Sequence, residues 1–135
     1  MTMMRTMLQA GLRLEEALRA ENEALARLDM TRAAALATLK VQASDAFAAA
    51  ATAAGRGGAR PEGEERAQAQ GLAGSLRELS AENRRLLERA IALQSRVIET
   101  IAGAAIPASR PTTYGGTGGR AMPRQAPALA VVARA

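Results

Sequence analysis

Apolar residues recur along the stretch from Leu72 to Ala104 in steps that alternate between four and three. Leu72, Leu76, Leu79, Leu86, Ala90, Leu93, Val97 and Ala104 keep the phase, while Asn83 and Thr100 occupy two of the turns. That spacing is the heptad seam of a helix that packs on another helix. Leu87, Ile91, Ile98 and Ile101 lie beside the seam and broaden it toward the C-terminal half. An apolar stripe wider than about 100° has more than one neighbour. Asn83 interrupts the seam with an amide that needs partners, a device by which helical assemblies fix register at some cost in stability.

Thr2 to Ala54 holds no proline and a single glycine, Gly11, among many Ala, Leu, Glu and Arg residues. This composition predicts one long helix over residues 1–54, roughly 75–80 Å at 1.5 Å per residue. Its apolar positions run Met4, Met7, Leu8, Leu14, Leu18, Leu25, Leu28, Leu36, Leu39, Ala43 and Phe47, with a change of phase between Leu28 and Leu36. Such a shift reads as a stutter at which the seam unwinds locally. Asn22, Asp29 and Lys40 fall at or beside the stripe. A surface position at its edge is the ordinary explanation, and a polar contact that aligns the second helix is the alternative.

Gly55 to Gly63 breaks the pattern with glycines, arginines and Pro61, so residues 55–71 read as a glycine-rich linker with a frayed helix start. Glu62, Glu64 and Glu65 suit the positive end of a helix opening after Pro61. Ser75 and Glu78 make a capping-box pair, and Gly71 and Gly74 weaken any earlier turn. The expectation is fraying from Glu64 and firm helix from Ser75. This second amphipathic helix, within residues 72–106, ends by Ile106 because Pro107 disfavours a helical residue before it. Residues 107–135, with four prolines and the run Gly115 to Gly119, read as a disordered basic tail. Period-two alternation is absent, so the predicted class is all-α. The predicted architecture is a long antiparallel, coiled-coil-like helical hairpin, or a three-helix bundle where a further helix joins it.

Composition narrows the chemistry. The 135 residues are 48% apolar but only 1% aromatic, and much of the apolar content is alanine, which favours helix and buries little area. Histidine and cysteine are both absent, which removes the commonest general base, the commonest metal ligand and any thiolate site. The chain is therefore not read as an enzyme, and no cofactor or metal is expected. No leading segment resembles a signal peptide, and no apolar run reaches the roughly 18 residues of a membrane span. A cytoplasmic protein without direct membrane insertion is the expectation.

The net charge of +5 is unevenly placed. Residues 1–54 carry six basic and six acidic groups and residues 72–105 five and four, whereas residues 106–135 carry four basic groups and no acidic one. Those four, Arg110, Arg120, Arg124 and Arg134, are too dispersed for a phosphate-binding stripe, so nucleic acid is not an expected partner. Single Arg-Gly-Gly and Gly-Gly-Arg runs at Arg56 and Arg120 lack interleaved aromatics and read as linker. The glycines after Tyr114 follow no strand and end in no Gly-Lys-Ser, so they form no phosphate loop. What remains is binding. A two-helix hairpin with so wide a stripe is unfinished, and a second copy or a foreign helix would complete it.

Several segments agree in order with a known pattern. The first is Glu21-Asn22-Glu23-Ala24-Leu25 with Leu28-Asp29, Leu36 and Lys40; the second runs from Asn83 through Leu86, Leu87 and Ala90 to Ile91, with Val97; the third is Tyr114-Gly115. Together they resemble the FlgN family of flagellar type III export chaperones, over about Leu8 to Gly119. The glycine-rich insert at Gly55–Gly63 and the alanine content depart from that family. The resemblance implies a cytoplasmic helical chaperone that binds C-terminal helical segments of the hook-associated (hook–filament junction) proteins. It would prevent their premature assembly and deliver them to the export gate. Client contact is expected on Leu86, Leu87, Ile91, Val97, Ile98 and Ile101, although several of these could instead hold the hairpin together. Tyr114, the chain's only tyrosine, is the expected export-gate docking residue. The competing reading is a structural coiled-coil adapter that forms homo-oligomers.

Overall fold

The computed structural model describes residues 2–105. They form three helices: α1 over Met3–Ala26, α2 over Met30–Arg56 and α3 over Glu64–Ala105. The all-α expectation is met. The tail over 107–135 and Tyr114 lie outside the described residues.

The single helix expected over residues 1–54 is two helices, and the turn between them is a capping motif. Leu28 adopts φ 60°, the left-handed region that a non-glycine residue rarely visits. Its N–H donates to the Leu25 carbonyl at 3.0 Å, and the Asp29 N–H reaches back to the Ala24 carbonyl at 2.9 Å. These are the two bonds of a Schellman ending. Asp29 then starts the next helix, its carboxylate accepting from the Arg32 N–H at 3.1 Å. What read as a stutter is a reversal of the chain.

The second connection uses the same device with the usual residue. Gly58 takes φ 69°, and the Ala59 N–H bonds the Ala54 carbonyl at 2.9 Å. Gly63, at φ 56°, precedes the first turn of α3, where Glu64 and Glu65 face the helix dipole's positive end. Helix α3 runs unbroken through Gly71 and Gly74, so no firm start occurs at Ser75. The Ser75 hydroxyl donates to the Glu15 carboxylate on α1 and caps nothing.

The chain divides into two compact units, the first ending at Leu86 and the second beginning at Leu87. Within the first, contact pairs fix the helix directions. Glu21 meets Lys40 and Met3 approaches Gly57, so α2 runs antiparallel to α1. Glu15 meets Ser75 and Asn22 meets Leu79 and Asn83, so this part of α3 runs parallel to α1. The result is an up-down-up three-helix bundle. Met4, Leu8 and Leu72 form a core cluster at one end, with Met7, Ala59, Ala69 and Leu76 packed on it. Gly11 marks a close approach of α1 and α3: a Cβ there would run into the Leu72 side chain. Helix α2 contributes mainly alanines, Ala33, Ala37 and Ala54, to the buried set. Small side chains let its backbone come near its neighbours, and that explains how a chain poor in large residues closes a bundle.

Candidate functional site

Two features of the molecule are chemically unusual, a polar cluster inside the bundle and an apolar face on α3. The cluster is built by Glu21 and Asn22 on α1, Lys40 on α2 and Asn83 on α3. All four are buried, Glu21 to 1% exposure and Lys40 to 3%. The Lys40 ammonium donates to Glu21 Oε1 at 2.8 Å and to Asn83 Oδ1 at 2.9 Å. The Asn83 amide nitrogen donates to Glu21 Oε1 and to Asn22 Oδ1, the latter at 2.8 Å, while Asn22 Nδ2 donates to the Leu79 carbonyl at 3.2 Å. Glu21 Oε2 is buried without a partner.

Asn22 and Lys40 are thus not at a surface edge, as the ordinary reading of their positions had it. They cross-link three helices at one level and set the register. Lys40 is the chain's only lysine among many arginines. A compact ammonium with rotatable donors fits between a carboxylate and an amide oxygen where a planar guanidinium would need more room. Glu21 is the member that sequence reasoning missed. The signal available was its place beside Asn22 on the stripe that Leu18 and Leu25 define.

Burial pushes the Lys40 ammonium below the 10.5 of a free lysine, while the hydrogen bond and the charge of Glu21 pull it partly back. Between that depressed value and 10.5 the unfolded chain binds more protons than the folded one, so unfolding free energy rises with pH across the window. Urea unfolding at a series of pH values from 8 to about 10.5 is expected to show that rise, and Lys40→Met is expected to flatten it. A fall in the native protein that disappears in Lys40→Met would reverse the assignment.

The second feature lies in the unit beginning at Leu87. Leu87 and Ala90 are buried, Ile91 and Leu93 are half-buried, and the same stripe then stands open: Val97 is 56% exposed, Ile98 38% and Ile101 62%. Leu93, Arg96, Val97, Thr100 and Ile101 line an open groove of about 260 Å³. The Gln94 side-chain oxygen, on this stretch of α3, is buried without a partner.

The six residues expected to contact a client are therefore not one surface. Val97, Ile98 and Ile101 are accessible and Ile91 is partly so, whereas Leu86 and Leu87 are buried and serve packing in this structure. Leu93, half-buried like Ile91, lines the groove beside Val97 and Ile101 and reads in the sequence only as a seam residue. Among the described residues no helix is long and apolar enough to cross a membrane, and no three acidic side chains converge as a metal site would require. The chain matches no family model, no curated protein and no solved structure.

Proposed function

We propose that this protein is a helix-binding chaperone of the flagellar type III export kind, holding C-terminal helical segments of hook-associated proteins until they reach the export gate. The observation that carries the reading is the exposed row of Val97, Ile98 and Ile101, which continues a stripe buried at Leu87 and Ala90. Isolated aliphatic side chains on a surface are ordinary, but three of them within about one helical turn, on and beside the seam position Val97, make an apolar face without its partner helix. An amphipathic helix laid along Leu93, Val97 and Ile101 would cover it by helix-in-groove recognition. The resemblance to the FlgN family supplies the identity of the client, and the binding surface narrows to Leu93, Val97, Ile98 and Ile101, with Ile91 at its edge.

Calorimetric titration with the C-terminal helical segment of a hook–filament junction protein from the same organism tests this. Binding at about micromolar Kd or tighter, with a clearly negative heat-capacity change, is the expected result. An absence of heat at several temperatures, from a chain that sediments as a stable oligomer, would instead favour the self-associating adapter.

A further inference from the structure

The seam of α3 has a charged border that says what kind of helix it takes. With Leu86, Leu93 and Thr100 at one seam position and Asn83, Ala90, Val97 and Ala104 at the other, Arg89 and Arg96 each stand immediately before a seam residue, one heptad apart. These flanking positions reach across to a partner helix and select it by charge. Both arginines are exposed, and among the described residues neither forms an ion pair. Arg96 also lines the groove itself.

A second copy of the chain does not answer that charge. In a parallel pairing Arg89 and Arg96 would face Gln94 and Ile101 of the copy, and in an antiparallel pairing with the two grooves opposed Arg96 would face the copy's Arg96 and Arg89 its Gly103. The first offers no counter-charge, and the second sets like charges together on the flank. We propose that the groove along Leu93, Val97 and Ile101 takes a helix of a different protein that is acidic, in two successive heptads, on the flank facing Arg89 and Arg96. This rests on the helix-binding reading above and adds the partner's chemistry to it. The two arginines favour an acidic client, and Arg96 opposes self-pairing on the same face.

Two labelled peptides of about four heptads, identical in their leucine seam but carrying either glutamate or lysine at all flanking positions, serve as probes in fluorescence anisotropy with the full chain. The glutamate peptide is expected to bind about tenfold more tightly than its lysine twin at low salt. The gap should narrow at about 0.5 M salt. Arg89→Glu/Arg96→Glu, with an unchanged melting temperature, should reverse the preference. Arg13→Glu/Arg32→Glu changes the net charge equally at exposed sites on α1 and α2 and should leave the preference in place. Equal binding of the two peptides, or equal loss of preference in both variants, overturns the acidic-flank assignment while leaving helix binding intact. Binding of neither peptide removes both.

Discussion

Lys40→Met is expected to destabilise the protein by about 3–5 kcal/mol, as much as the truncation of a well-packed core leucine. The substitution keeps most of the apolar stem and removes only the ammonium. Glu21 is then left as a carboxylate at 1% exposure whose second oxygen already has no partner, and Asn83 loses the donor to its carbonyl. Against a typical total of about 5–15 kcal/mol, this is about a fifth or more of the stability of a small domain. The paired variant Glu21→Gln/Lys40→Met is expected to recover more than half of the loss, because a neutral amide can still bond Asn83 and carries no charge to desolvate. Urea unfolding of both variants and of Glu21→Gln alone closes the cycle. A loss below about 1 kcal/mol for Lys40→Met would place the pair in solvent, contrary to its burial.

Such a cluster stabilises less than an apolar one of equal volume would, and its geometry shows what is gained instead. Alanine faces slide easily over one another, and α2 is largely alanine. The contacts from Lys40 to both Glu21 and Asn83 exist in only one alignment of the three helices. The seam alone would accept shifts by a heptad; the polar contacts do not.

How much of this was legible follows from which signals are redundant. The heptad phase of α3 is carried by eight apolar residues, so no single substitution hides it, and its break before residue 64 is announced by several glycines. The reversal at Arg27–Asp29 rests on one backbone conformation at Leu28, where glycine would ordinarily stand. Gly58 in the equivalent place was read as a break at once. Asp29 caps α2 in the structure, but an aspartate without a preceding stop signal reads as a polar residue at the edge of a stripe. Counting proline and glycine therefore joined two helices that a phase change had already separated.

The site divides in the same way. Periodicity puts Val97, Ile98 and Ile101 on a broad apolar face, because it reports which side of a helix is apolar. It also groups them with Leu86 and Leu87, since it does not report where along the helix that side is covered. Only exposure separates the two sets.

That separation gives the second large effect. Val97→Asp/Ile101→Asp is expected to weaken binding of the hook–filament junction segment by at least about 100-fold, since two aliphatic contacts worth about 1.5–3 kcal/mol each are lost and two carboxylates are desolvated on docking. Its unfolding free energy should stay within about 0.5 kcal/mol of the native value, because both residues are exposed. Leu86→Ala should do the converse. It opens a cavity at a buried position and costs about 2–5 kcal/mol of stability, with affinity unchanged for the fraction that remains folded. Tyr114→Ala should leave both quantities alone and lower export of the client if that residue has the gate-docking role that the family resemblance implies. Titration at a temperature where all three variants are fully folded makes the comparison. Equal loss of affinity in Leu86→Ala and in Val97→Asp/Ile101→Asp would mean that the client displaces part of the bundle and packs on residues buried here. The open seam would then be where a client first lands, and the interior of the bundle, polar cluster included, would be the surface that holds it.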